Sequence, residues 1–363
     1  MNLNYFAIMD AADKEMAQSA MLRFLLYCDA FFVKRLFPAF GGNPEGLRVT
    51  LEESLKGKRL DLVARSQDEQ TLVVENKFKS FPYLAQLEGY DALLKKSWTS
   101  GTPVKYLLCF DDSGVPFCRD KQVQTTRGIW HVATYRDIQK AIAEWQGSPG
   151  YAAEDEKSIF CRHYAAYLDA YYTAYDLVFA DYSQLFSEEN KKKAKTPQSG
   201  ISLEDITAPW ADLNFWRNLA LRHAGNNIAA ATGMDIVFDS GLAKAPVIDI
   251  LPQEWTSLAP WLCIQVQGLE AKLYVRDIKK FGESARNAML LYAGKLQEGL
   301  PEAGRIEAGK MHTQAITKKS NSFAVYKEQA LAGAMPVTAI PERILEFYRR
   351  VDGAVRGAGR FAG

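Results

Sequence analysis

Residues 59–78, with the sequence RLDLVARSQDEQTLVVENKF, constrain the fold of this chain more than any other stretch. Positions 60–64 follow a two-residue period, which is typical of a β-strand. After a polar turn, the aliphatic run at residues 72–74 predicts a second, buried strand. The sequence therefore predicts two consecutive strands, and hence a β-sheet, in the first quarter of the chain.

Two carboxylates and one amine lie on these predicted strands. Glu75 and Lys77 directly follow the aliphatic run, and side chains two residues apart on a strand project from the same face. We expect this pair to lie at the exposed end of its strand, near Asp61 of the preceding strand. Oxygen ligands suit hard divalent cations. The sequence thus predicts a metal site formed by Asp61 and Glu75, with Lys77 beside it to polarise a water or an anionic oxygen.

A simpler interpretation is that Glu75 and Lys77 form a solvated ion pair, which would add little to stability. Three features favour the metal site. Asp61 lies on the preceding strand, and the pair follows aliphatic residues rather than a polar stretch. A break at Phe81-Pro82 then precedes a predicted helix that carries Gln86 and Tyr90 one turn apart, on one face.

In their order and spacing, these residues resemble a known family. Asp61, then Glu75-Asn76-Lys77 after an aliphatic strand, then Gln86-Leu87-x-x-Tyr90 is similar to the PD-(D/E)xK nuclease superfamily, which has the restriction-endonuclease-like fold. The resemblance covers roughly residues 11–145. Leu60 stands where the name of the superfamily has proline, a departure that leaves the carboxylates and the lysine in place.

The resemblance implies a role for each of these residues. Asp61 and Glu75 would bind Mg²⁺, with Mn²⁺ as its substitute. Lys77 would assist the attacking water, and Gln86 would support the site from the following helix. Many members of the superfamily also have a glutamate on the first core helix, which here would be Glu15.

Periodicity predicts the element order α-β-β-β-α-β-(β)-α for residues 1–150. With the resemblance, the expected fold class is α/β: a restriction-endonuclease-like mixed sheet flanked by helices, followed by a second α+β domain. The predicted elements of the first domain are a helix at 11–37, strands at 47–52, around 61 and around 75, a helix at 84–96, strands at 104–110 and 129–134, and a helix at 135–145. Residues 112–114 are expected to be loop.

A tyrosine-rich helix at 154–185 and a lysine-rich linker at 187–200 are predicted between the two domains, so that the expected boundaries are 1–150, 151–200 and 201–363. Tyrosines at helical spacing more often pack in a core than stack on bases. A lysine run is usually solvated. It would contact phosphates if it faced the same cleft as Glu75.

Residues 201–363 predict an α+β domain with an antiparallel group of strands. Its predicted elements are a helix at 213–232, strands at 235–238, 246–251, 261–267 and 271–276, a helix at 281–297, a strand at 323–326 and a helix at 341–351. Gln265 and Gln267 stand where a Glu-x-Lys pair would be needed, so this sheet is expected to be an ordinary one. Substrate engagement and homodimer formation are two roles that we consider for it.

Composition narrows the class of protein. The 363 residues carry a formal net charge of +1, so phosphate contacts would have to come from a local basic patch. No apolar run approaches the roughly 20 residues that a membrane span needs. The five cysteines are scattered and lack a C-x-x-C pair, which argues against a zinc site and favours a reducing, cytoplasmic location.

The residues and the resemblance together predict a magnesium-dependent nuclease that hydrolyses phosphodiester bonds, with DNA favoured over RNA as substrate. Two alternatives stay open from the sequence. One is a nucleic-acid-binding protein that kept the fold and lost the chemistry. The other is a protein-interaction factor in which the ion pairs are structural.

Overall fold

The computed structural model describes residues 4–8, 14–97, 101–115, 117–149, 151–194, 203, 207–239, 246–276, 283–308, 310–311 and 322–359. The chain divides into two compact units. The first comprises Met1–Tyr175 with Pro197–Ala211, and the second comprises Asp176–Thr196 with Asp212–Gly363. Each unit has its own β-sheet. The domain boundaries expected from the sequence stay a prediction.

The first unit is built on a seven-stranded mixed sheet with the strand order β1-β2-β3-β4-β7-β6-β5. Strands β1 to β3 are antiparallel to one another, whereas β4 is parallel to both β3 and β7. The strands are β1 (Arg48–Leu55), β2 (Lys58–Arg65), β3 (Thr71–Lys77), β4 (Val104–Cys109), β5 (Cys118–Arg119), β6 (Gln122–Thr125) and β7 (Gly128–Thr134). The predicted α/β fold with a mixed sheet is confirmed.

Helices flank this sheet. A parallel pair of strands needs a crossover, and the helix between β3 and β4 provides it. Its buried side chains pack on Leu107 and Trp130 of the sheet; they are Leu87, Tyr90 and Leu94. The helices are α1 (Tyr5–Ile8), α2 (Glu15–Cys28), α3 (Ala30–Leu36), α4 (Leu84–Ser97), α5 (Tyr135–Gln146) and α6 (Glu156–Ala180).

The single helix expected at residues 11–37 is wrong, because α2 and α3 are separate helices. Asp29 between them is extended (φ −159°, ψ 138°), and its Oδ1 accepts a hydrogen bond from the N–H of Phe31 at 2.8 Å. An aspartate that caps a new helix competes with continuation of the old one. Residues 11–13 lie outside the described residues. No single described helix has the length and apolar character of a membrane span; α2 and α3 reach it only as a pair, bent by 119°.

Two shorter segments also differ from the prediction. The loop expected at Asp112–Gly114 forms one turn of 3₁₀ helix, and the short hairpin of β5 and β6 follows it. The strand expected at 47–52 is longer than predicted, because β1 continues to Leu55 and β2 begins at Lys58. Lys56 and Gly57 alone connect them, with φ values of 47° and 86°. Positive φ at both positions is what a two-residue hairpin requires.

Helix α6 carries the tyrosine-rich stripe, and its side chains are core residues of the first unit, as their helical spacing predicts. Tyr164, Tyr167, Tyr171 and Tyr172 are buried, and the Tyr172 hydroxyl donates to the carbonyl of Phe110 at 2.9 Å. The stripe is therefore not free for base stacking.

The linker expected after this helix is partly wrong. Glu188–Lys193 is a helix, α7, because the side chain of Ser187 caps it by accepting from the N–H of Asn190. Lys191 and Lys193 pair with glutamates of the same helix. Residues 195–200 lie outside the described residues.

The second unit contains an antiparallel five-stranded sheet, as predicted, in the order β12-β11-β10-β9-β8. Gln265 lies opposite Asp249 and donates to its carboxylate at 3.0 Å, so the two side chains bond to each other. The strands are β8 (Asp235–Asp239), β9 (Val247–Leu251), β10 (Leu262–Gln267), β11 (Glu270–Val275) and β12 (Phe323–Glu328), and the helices are Leu213–Thr232, Gln253–Thr256, Glu283–Glu298 and Ile340–Ala358.

Candidate metal centre

The pairing of β2 with β3 brings Asp61 to Glu75. The two strands are antiparallel and pair Leu62 with Val74, so Asp61 and Glu75 are the next residues beyond this pair. At this point the backbone N–H of Asn76 donates to Oδ2 of Asp61 at 2.7 Å. The carboxylate of Asp61 is therefore fixed against the peptide that follows Glu75.

Glu75 is held through one of its two oxygens. Its Oε1 lies 2.9 Å from Nζ of Lys77 and accepts a hydrogen bond from Nε2 of Gln86 at 2.8 Å. The Tyr90 hydroxyl lies 3.4 Å from the same oxygen. Oε2 is buried and has no hydrogen-bond partner among the described residues. A buried carboxylate oxygen without a partner is costly, so this atom is where a ligand would be accommodated.

The strand end that carries Glu75 and Lys77 was expected to be exposed, and this is wrong. Glu75 is 1% exposed and Lys77 is 8% exposed. The reason is that β3 lies inside the sheet, between β2 and β4, and every one of its residues is buried. A buried acid and a buried amine each need a partner, and here they supply it to each other.

Glu15 reaches the same centre from the start of α2. Its Oε2 lies 3.6 Å from Nζ of Lys77, and its Oε1 accepts a hydrogen bond from Ser80. Lys77 is thus placed between two carboxylates. The structure therefore brings together all five residues to which the sequence assigned a role.

Asn76 positions this centre from the opposite face of β3, and the sequence reasoning gave it no role. It is fully buried, and its Nδ2 donates to the carbonyl of Glu15 at 3.0 Å and to Oγ of Ser19 at 2.9 Å. Its Oδ1 accepts from the Tyr135 hydroxyl at 2.5 Å. One side chain therefore ties β3 to both α2 and α5. An amide between an acid and a lysine on a buried strand is the signal that could have identified it.

Burial and the neighbouring charges shift the pKa values of the ionisable groups in this centre. Burial, reinforced by the charge of Asp61, raises the pKa of Glu75 to about 7. Burial also raises the pKa of Asp61, although the N–H of Asn76 opposes the rise. For Lys77, burial lowers the pKa, but the carboxylates of Glu75 and Glu15 outweigh it, and the net pKa is raised. Lys77 is therefore a cation at neutral pH.

The basic side chain of Lys58 lies on the same side of the sheet as this centre. Nζ of Lys58 stands over the ring of Tyr90, 5.4 Å from its centroid, and the hydroxyl of that ring lies at Glu75. Lys56 and Lys58 are exposed at the β1–β2 turn, and Arg59 beside them pairs with Glu52. The turn therefore places one exposed ammonium group, that of Lys58, near the centre, and Lys56 is exposed at the same turn.

The donor set fits a hard divalent cation. No group of three or more His, Cys, Asp or Glu side chains suited to a metal occurs within the described ranges. Magnesium, however, usually keeps several waters and is bound through one or two carboxylates together with substrate phosphates. Asp61 and Glu75, with the buried Oε2 of Glu75 lacking a partner, match that requirement.

Comparison with known proteins gives a family match for the part of the chain that contains this centre. The family model described as the PD-(D/E)XK nuclease superfamily matches residues 3–166. The matched segment contains Glu15, Asp61, Glu75, Lys77 and Gln86. The resemblance inferred from the sequence motifs is therefore confirmed. Comparison with the curated proteins and with the solved structures gave no match.

Proposed function

Because residues 3–166 match the family model of the PD-(D/E)XK nuclease superfamily, we propose that this chain is a divalent-metal-dependent nuclease that hydrolyses phosphodiester bonds of DNA. Mg²⁺, or Mn²⁺ in its place, would be held by Asp61 and Glu75. The observation that carries the proposal is the buried Oε2 of Glu75, which has no hydrogen-bond partner while Oε1 is held by Lys77 and Gln86.

In-line attack on a phosphodiester builds negative charge on the phosphoryl oxygens and on the leaving oxygen. When bound, a divalent ion neutralises part of this charge and lowers the pKa of a coordinated water. Each carboxylate is oriented through one oxygen, Oδ2 of Asp61 by Asn76 and Oε1 of Glu75 by Gln86. The remaining oxygens are available as ligands.

Lys77 acts as a hydrogen-bond donor in this proposal rather than as a base. Its raised pKa keeps it charged, since Glu75 and Glu15 both lie beside it. An ammonium group can orient the attacking water or donate to a non-bridging phosphate oxygen. Gln86 supports Glu75 without adding a charge.

Lys56 and Lys58 provide the first contacts for the backbone of a nucleic acid. Ammonium groups bind phosphates irrespective of sequence. The preference for DNA over RNA is part of the proposal. It is tested by offering both substrates to the same enzyme.

The proposal is tested with Glu75→Gln and Lys77→Met, assayed on plasmid DNA and on an RNA of equal length with Mg²⁺. Both variants keep the volume of the buried side chain and should lose cleavage by at least about 100-fold. Circular dichroism should show that they stay folded. Glu53→Gln is the matched control, because Glu53 lies on β1 of the same sheet and pairs with Arg65 instead.

Cleavage at the wild-type rate by both folded variants would contradict the nuclease proposal. Metal-independent DNA binding without cleavage by the wild type would instead indicate a nucleic-acid-binding protein of this fold that lacks activity. Cytoplasmic location and homodimer formation remain predictions from the sequence.

A further inference from the structure

A second candidate site lies in the first unit, away from the candidate metal centre. It is a cavity of about 440 Å³ between the last turns of α4, the segment leading into β4 and the β6–β7 turn. Its lining includes Asp91, Leu94, Lys95, Pro103, Lys105 and Arg127. A cavity of this size is in the range of sites for small ligands.

The floor of the cavity is a buried ion pair. Nζ of Lys105 lies 2.5 Å from Oδ1 of Asp91, and both side chains are less than 10% exposed. Asp91 also accepts hydrogen bonds from Nε1 of Trp130, at 3.1 Å, and from the hydroxyl of Thr125. The charge of Asp91 is therefore satisfied within the fold, and both of its oxygens are occupied.

Two further cations at the cavity have no such partner. Lys95 and Arg127 are exposed, and their side chains form no ion pair or hydrogen bond within the described parts of the chain. Because Asp91 is neutralised by Lys105, these two groups give the cavity an uncompensated positive charge. A guanidinium fork and an ammonium group together suit the tetrahedral oxygens of a phosphate.

The cavity is distinct from the candidate metal centre. In the register of β3 and β4, Lys105 at the floor of the cavity lies opposite Val73. Lys77 lies opposite Cys109, four residues further along β4. At about 3.3 Å per residue, these two positions are about 13 Å apart along the strand. The cavity thus lies towards the start of the parallel strands, and the metal centre lies towards their end.

We propose that this cavity binds a phosphate-bearing ligand, with Lys95 and Arg127 as the groups that contact the phosphate. The phosphate can come from a free mononucleotide or from the 5′ end of a nucleic acid strand. Both present the same chemistry to the cavity. The proposal does not depend on cleavage activity.

The test is isothermal titration calorimetry of the full chain in EDTA, so that no divalent ion bridges a phosphate to Asp61 and Glu75. The probes are AMP, adenosine, and one oligonucleotide with either a 5′-phosphate or a 5′-hydroxyl. The variant is Lys95→Gln/Arg127→Gln. The matched control is Lys96→Gln/Arg119→Gln, which removes the same charge from exposed positions outside the cavity lining. Glu75→Gln is a second control.

We expect AMP to bind the wild type and both controls at 1:1, adenosine to bind at least tenfold more weakly, and the Lys95/Arg127 variant to lose at least tenfold in affinity for AMP. The same pattern with the phosphorylated oligonucleotide, but not with AMP, would support the site and assign the phosphate to a strand end. Equal binding by the wild type and the Lys95/Arg127 variant would overturn the proposal. So would absence of binding of every probe to the wild type.

Discussion

At the scale of single residues, the central feature is a carboxylate whose two oxygens differ. Oε1 of Glu75 is surrounded by donors from Lys77 and Gln86, whereas Oε2 has none among the described residues. Burial and the nearby charge of Asp61 raise the pKa of Glu75 to about 7. The metal-free centre therefore holds a proton close to neutral pH, and a bound cation would have to displace it.

This raised pKa predicts that metal binding depends on pH. Because Glu75 is protonated below its pKa of about 7, Mn²⁺ affinity should fall as the pH is lowered, by up to about tenfold per pH unit, and should level off above pH 8. Calorimetry in buffers of different ionisation enthalpy should detect proton release near pH 7. Affinity that is constant between pH 6 and pH 8 would contradict the prediction. Glu75→Gln should show no such binding at any pH.

At the scale of elements, a residue next to the centre connects the strand that carries the centre to two helices. Asn76 lies between Glu75 and Lys77, but its side chain points to the other face of β3 and bonds to α2 and α5. The position of Glu15, on α2, is thereby fixed relative to the strand. Because side chains alternate between the two faces of a strand, Glu75 and Lys77 can form the centre on one face while Asn76 holds the helices on the other.

Asn76→Ala is expected to lower the free energy of unfolding by at least about 2 kcal/mol, because it leaves buried partners on α2 and α5 unsatisfied. Thermal and urea denaturation measure this loss. Gln67→Ala, which removes an exposed amide from the β2–β3 turn, should change stability by less than about 0.5 kcal/mol. A loss from Asn76→Ala as small as that of this control would show that the ties between the three elements contribute little.

The β1–β2 turn gives a second prediction at this scale. Lys56→Gln/Lys58→Gln should weaken DNA binding in EDTA and should reduce the slope of log affinity against log salt by about 1.8, or about 0.9 for each phosphate contact on duplex DNA. Filter binding at several salt concentrations measures both quantities. Lys34→Gln/Lys140→Gln, at exposed positions on α3 and α5, is the matched control. An unchanged slope would remove the turn from the proposed interface.

At the scale of the whole molecule, each of the two units has a core centred on its own sheet. Leu107 on β4 and Ile264 on β10 are both fully buried in central strands. The first unit contains the candidate metal centre and the cavity, and the second contributes no residue assigned to either.

Leu107→Ala and Ile264→Ala are each expected to cost about 2–5 kcal/mol, as buried leucine or isoleucine truncations do. Hydrogen exchange should locate the loss. Amides of β3 and β4 should lose most protection in the first variant, and amides of β9 to β11 in the second. Equal loss in both sheets from either variant would show that the two cores unfold as one.

The sequence alone predicted the structural features that depend on the pattern of neighbouring residues. The strands around Asp61 and Glu75 and the helix with Gln86 follow from periodicity, and the structure brings the residues that the motif named close together. The break at Asp29 was missed, because an aspartate that caps the next helix looks like any polar residue of a longer helix. The burial of Glu75 was missed because it depends on β4, which is more than 25 residues away in sequence.

Helix α4 has a consequence for how the two candidate sites influence each other. Gln86 and Tyr90 near its start contact Glu75, and Asp91 and Lys95 further along it line the cavity. Gln86 and Lys95 are nine residues apart, about 13 Å along a helix axis. An anion in the cavity that displaces α4 changes the affinity of the metal centre for its cation. By thermodynamic linkage, the cation then changes the affinity of the cavity for the anion by the same factor.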